Sequence, residues 1–126
     1  MSDMTPPVIE AKMRSLVNDL ARAQVELAKA RDAEVDAKHV FEAERRRAML
    51  SADCPKVSRG GVTTAERDSW VAAQAADAER DYDIKVAIRE AARDRIQTLR
   101  DQSMLVMALS RSVQTSMGLV GVSERG

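Results

Sequence analysis

Aromatic residues are nearly missing from this chain: one Trp, one Tyr and one Phe in 126 residues. A β-sandwich or an α/β enzyme core needs bulky side chains, and this composition supplies too few of them. The hydrophobic share of 44% overstates the bulk available, because 20 of those residues are alanine. Turn formers are also scarce, with five glycines and three prolines, which excludes the many short strands of an all-β fold. A single cysteine, Cys54, excludes an intramolecular disulfide and predicts a reducing, cytoplasmic setting. Neither sign of charge prevails: 20 Lys and Arg balance 20 Asp and Glu, so no global field draws the chain to nucleic acid or an anionic membrane. No apolar run is long enough to span a bilayer, so no membrane partner is expected. Residues 1–7 lack the basic and apolar regions of a signal peptide, and none is expected.

Catalytic chemistry is poorly provided for. His39 is the only histidine, and no sequence motif surrounds it. Cys54 precedes Pro55 with no base near it in sequence, so a Cys–His pair is not indicated. Phosphate-cradling and dinucleotide-binding glycine patterns are absent. Asp77, Glu79, Asp81 and Asp83 form an acidic run, but alternate residues on a helix diverge, which is the wrong geometry for a metal cage. The chain is expected to have no enzymatic activity, no cofactor and no metal.

What the sequence does contain is helix. Thr5 can cap a helix whose first residue is Pro6, with Met4 and Ile9 at hydrophobic-staple positions. Apolar or small residues then recur at alternating spacings of four and three: Ile9, Met13, Leu16, Leu20, Ala23, Leu27, Ala30, Ala37, Phe41 and Ala48. This is a heptad seam, with Glu34 and Glu44 at two of its positions. It predicts a helix over about residues 6–50. Pro55 and Gly60–Gly61 mark a loop over about 51–62. Thr63-Thr64-Ala65-Glu66 fits a capping box opening a second helix. That helix is expected over about 63–113, through Trp70, Ala73, Ile84, Ile88, Ala92, Ile96, Leu99, Val106, Leu109 and Val113. Ser116, Gly118 and Gly121 then predict an irregular tail over about 114–126.

The economical fold is all-α: one domain, a long antiparallel two-helix hairpin of coiled-coil type. Folding about the loop centre pairs residue i with roughly residue 114 minus i. Phe41 then lies near Trp70 and Ala73, and Leu27 near Ile84 and Ile88. Leu16 and Leu20 meet Ile96 and Ala92, and Glu34 falls near Arg80. Two helices make a thin core, so self-association into a bundle is expected. The stretch from Met104 to Leu109 is apolar on all sides and calls for burial beyond what one helix provides. The expected oligomer or partner interface is therefore Leu16, Leu20, Leu27, Ile84, Ile88, Ile96, Leu99, Met104, Leu105, Val106, Met107 and Leu109. A second candidate is the basic tip. Arg45, Arg46, Arg47, Lys56 and Arg59 face only Asp53 within residues 45–60, a pattern suited to phosphate or an acidic partner.

Two resemblances bear on function. Small hairpin proteins secreted by actinobacteria carry Trp-x-Gly in their turn, but here Trp70 is followed by Val71-Ala72, and Tyr82 is not followed four residues later by an acid. That family is excluded. The run Val62-Thr63-Thr64-Ala65-Glu66-Arg67-Asp68-Ser69-Trp70-Val71, with Leu99-Arg100-Asp101-Gln102 and Ser110-Arg111-Ser112-Val113, resembles small helical proteins encoded by phages of high-GC Gram-positive bacteria. The likeness covers the second helix only and carries no functional residue. It implies a binding function, in the cytoplasm of a bacterial host, without fixing the partner; with the seam and the apolar stretch, the expectation is a non-enzymatic protein that binds itself and another protein. The alternatives are a nucleic-acid-binding accessory of recombination or replication, using the basic tip, and a structural component of a phage particle.

Overall fold

A computed structural model describes residues 5–125, with side chains described through residue 117. The chain is all-α, with no strand among the described residues: α1 spans Pro6–Leu50, α2 Thr64–Gln74 and α3 Ala76–Arg125. Helix α1 has the expected bounds, with Pro6 in its first turn, where a missing N–H costs nothing. The Ile9 N–H reaches the Thr5 carbonyl at 3.0 Å. Met4, the other half of the expected staple, lies outside the described residues. At the start of α2 the Thr63 Oγ1 accepts the Glu66 N–H at 3.2 Å, the expected cap. Between α1 and α2, Gly60 has φ +76°, a left-handed conformation that glycine adopts without strain.

The second half of the chain differs from expectation in two ways. It is broken at Ala75, which has φ −98° and ψ 8°. The hydrogen bonds run on around the break, Ala75 N–H to Val71 O at 3.1 Å and Glu79 N–H to Ala75 O at 2.9 Å. The expected irregular tail over 114–126 is instead helical to Arg125. Gly118 and Gly121 each cost a helix about 1 kcal/mol. No proline follows Pro55 to enforce a stop.

Where one domain is expected, contacts gather into two compact units, one of residues 1–27 with 92–126 and one of residues 28–91. Residues on antiparallel helices touch only those level with them, so contacts cluster locally along long helices.

The unit of residues 1–27 and 92–126 has an aliphatic core. Ile9, Leu16, Ala23 and Leu27 of α1 are buried with Ile96, Leu99 and Val106 of α3, and Met13, Leu20, Ala92 and Val113 pack at the edge. All fall at the four-three spacing of a coiled-coil seam. Pro6, Ile9 and Met13 share a shallow cleft with Ser110 and Val113, so the start of α1 lies against the later part of α3.

The unit of residues 28–91 keeps the same spacing with different chemistry. Its buried residues are Ala30, Ala37, Ala48, Val71 and Ala75. Between them lie a tilted Phe41–Tyr82 pair with ring centroids 6.0 Å apart and an ion pair between Glu34 and Arg89. In both contacts the residue numbers total 123, so the helices run antiparallel nine residues out of the expected register. Phe41 therefore meets Tyr82 and not Trp70, and Glu34 meets Arg89 and not Arg80. The loop centre is a poor guide to register because α2 and the Ala75 break lie within the return path. Packing decides it: Ala48 and Ala75, both buried, also total 123.

Truncating a core leucine loses both transfer energy and packing. Leu99→Ala is expected to destabilise the chain by about 2–4 kcal/mol in urea denaturation. Leu50→Ala, at an exposed helix end, should stay within about 0.5 kcal/mol of the parent. Thr63→Ala should cost about 1 kcal/mol through loss of the cap.

Candidate interaction surface

The residues expected to form an interface separate into two groups. Leu16, Leu27, Ile96, Leu99 and Val106 are buried within the chain's own core, and Leu20 packs beside them. Ile84, Ile88, Met104, Leu105, Met107 and Leu109 are exposed in the single chain. Ile84 and Ile88 are thus not core partners of Leu27, and Leu109 lies outside the seam of α3. Counting back from Ile96 by fours and threes gives Ala92, Arg89, Lys85, Tyr82, Ala78, Ala75 and Val71, and each of these is buried or partly buried. The pattern was present in the sequence, but the two bulky isoleucines beside it obscured the smaller and charged seam residues.

In the unit of residues 1–27 and 92–126, one buried residue of the Met104–Leu109 stretch, Val106, points into the core. Met104 is 68% exposed and Leu105 66%, with Met107 and Leu109 also open to solvent. Helix geometry requires this, since a single partner helix covers one side only. In the unit of residues 28–91, Ile84 is 47% exposed and Ile88 49%.

The seam of that second unit is held by its ion pair. Arg89 Nε donates to Glu34 Oε2 at 2.9 Å and Arg89 Nη2 to Glu34 Oε1 at 3.3 Å, a two-pronged contact. The side chains keep 24% and 20% of their exposure. The hydrogen bond Arg89 donates to Glu34 raises the Arg89 pKa above the ordinary guanidinium range. A raised pKa stabilises the fold fully below the ordinary value and is lost only above it. Arg89 therefore makes no pH-dependent contribution between about pH 6 and pH 9.

The basic tip is partly engaged within the chain. Arg47 Nη1 donates to Glu44 Oε1 at 2.9 Å, and the Arg45 guanidinium lies 5.7 Å from the Phe41 ring centroid. Arg46, Lys56 and Arg59 are exposed. The cavity nearest them places Trp70 beside Glu44, Arg47, Ser51, Asp53 and Gln74, and its two carboxylates oppose an anion. Cys54 is half-buried, with Sγ 3.8 Å from the Pro55 carbonyl, and His39 is exposed. Among the described residues no three His, Cys, Asp or Glu side chains converge as a metal site. None of the described helices is long and apolar enough to cross a membrane.

No family model, curated protein or solved structure matches the chain. The surface geometry alone bears on function.

A double-mutant cycle tests the ion pair. Glu34→Ala and Arg89→Ala should each lower the denaturation midpoint, because each leaves a half-buried charge unpaired, and the double variant should lose less than the two losses added. Replacing both residues with Leu should raise the midpoint. Strict additivity in the cycle would show the pair to be inert.

Proposed function

We propose that this is a non-enzymatic, self-associating helical protein that binds another protein, in the manner of a phage accessory or a host-directed binding protein in a bacterial cytoplasm. The observation that carries this reading is the exposure of Met104, Leu105, Met107 and Leu109 on a helix whose buried seam already satisfies the chain's own core. Met104 and Met107 line one flank of the seam and Leu105 and Leu109 the other, and exposed apolar side chains grouped this way on a small protein mark association surfaces. Methionine suits such a surface because its unbranched side chain adapts to the partner. The limited chemistry of His39 and Cys54 adds nothing that favours catalysis.

The basic tip favours nucleic acid less. Arg45 and Arg47, though exposed, have partners within the chain, which leaves Arg46, Lys56 and Arg59 as the more available cations. Weak, salt-sensitive DNA binding lost in an Arg46→Ala, Lys56→Ala, Arg59→Ala variant would restore that alternative.

Size-exclusion chromatography with multi-angle light scattering, at low and high salt, tests self-association. A discrete dimer or tetramer at both salts is expected, because apolar contacts are not screened. Leu105→Glu with Leu109→Glu should weaken the assembly or abolish capture of a protein partner while leaving helicity intact. A monomer at every concentration overturns the self-associating part of the reading.

A further inference from the structure

Each unit carries one exposed side whose charges are nearly all of one sign. In the unit of residues 1–27 and 92–126, heptad position places Val17 and Ala21 of α1 on the same side as Met104 and Met107 of α3, all exposed. Around them stand Arg14, Arg93, Arg100 and Arg111. Among the described residues the one acid on that side is Glu10, bound to Arg14 at 3.4 Å. In the unit of residues 28–91, heptad position and the register of the Glu34–Arg89 and Phe41–Tyr82 contacts set Val40 of α1 beside Ile84 and Ile88 of α3, again exposed. The charges nearest them on that side are Asp36, Asp77 and Asp81. Asp81 has only a distant partner, Lys85 at 3.9 Å, and the cations of that side, Lys29 and Arg47, lie at its two ends. One apolar strip is thus bordered by arginine and the other by aspartate.

We infer that the arginine-bordered side of one copy docks on the aspartate-bordered side of a second copy, with the helices of the two copies running in the same direction. This deepens the self-association proposed above and rests on it. A single displacement brings the two sides into match: 19 residues, the separation of Met107 from Ile88 and of Arg100 from Asp81 in the chain, or about 28 Å along the helix. It sets Met107 of one copy over Ile88 of the other and Arg100 over Asp81. The same displacement sets Ala21 over Val40 and Glu10 over Lys29, and brings Met104 within one residue of Ile84. Arg14 comes within three residues of Asp36, about 4.5 Å, which an arginine side chain spans. One alignment therefore joins apolar to apolar and opposite charge to opposite charge, the complementarity that selects a partner and its register. The inverted direction, centred on the same apolar residues, does worse, because it sets Glu10 against Asp77 and turns Arg93 toward Lys29. Each copy offers one side of each kind, so the contact is heterologous and either closes into a ring or passes from copy to copy.

Mixing two variants tests a contact between unlike sides. Met104→Glu disables one side and Ile88→Lys the other, and each variant keeps its second side intact. Both positions are exposed, so parental helicity by circular dichroism is expected of each. In sedimentation equilibrium on the full chains, each variant alone should associate at least about tenfold more weakly than the parent. A 1:1 mixture should recover a pair through the two intact sides and grow no further. A mixture no tighter than its components would overturn the inference, because the intact sides would then not meet. A variant that associates as the parent does would overturn it too, and disruption by Leu105→Glu in its place would leave self-association standing on the other flank. Disulfide trapping in Cys54→Ser chains reads the direction. Met107→Cys in one chain should cross-link to Ile88→Cys in another, whereas cross-linking to Val40→Cys instead would mean inverted copies and overturn the inference. A parent chain monomeric throughout would overturn both this contact and the self-association on which it rests.

Discussion

The alternation of four and three residues between inward-facing positions is the constraint on which the rest depends. An α-helix turns every 3.6 residues, and only a repeat averaging 3.5 keeps one stripe against a neighbour over many turns. Helix α1 holds that repeat from Ile9 to Ala48, and every seam residue in it is buried or partly buried. The repeat on the returning strand of the hairpin keeps its phase through the break at Ala75, which is itself a buried seam residue. A break of one residue that preserves phase costs the packing little.

Within that shared spacing the two units solve different problems. Residues 1–27 and 92–126 use Leu, Ile and Val, whose burial contributes about 1.5–3 kcal/mol each. Residues 28–91 use alanine, an aromatic pair and a half-buried ion pair. An Ala seam slides easily, since alanines at neighbouring turns are interchangeable. Glu34 and Arg89 are not interchangeable with anything beside them. A one-heptad slip would leave both charges half-buried without a partner, a penalty larger than the pair's own net worth. The pair's contribution is therefore to alignment more than to stability.

The helical class, the limits of α1, the cap at Thr63 and the α1 seam were all legible in the sequence, because each depends on residues close together in the chain. Register was not legible. It depends on which of several similar alignments buries most, and an Ala-rich stretch such as Ala72 to Ala78 distinguishes them poorly. The seam of the second half is hidden in the sequence for a related reason. The bulk of Ile84 and Ile88 points to inward positions, whereas the inward residues are Tyr82, Lys85 and Arg89. Bulk identifies a core only when the core is made of bulky residues. Val106, expected in the seam with Leu99 and Val113, is the residue of the Met104–Leu109 stretch that turns inward, whereas Leu109, expected there too, lies outside the seam.

Ala30, Ala37, Ala48 and Ala75 are buried seam residues with no side chain beyond a methyl group. Helices spaced by methyl groups approach more closely than helices spaced by leucines. The two units must then tolerate sequence drift in opposite directions. The aliphatic unit is damaged by shrinking a side chain, because a void opens. At its alanine positions the second unit has nothing to shrink and is damaged by growth, because a larger side chain must push the helices apart. Over evolutionary time the first should accept exchanges among Leu, Ile and Met, while the second should accept little besides Gly, Ser and Ala in place of its inward alanines.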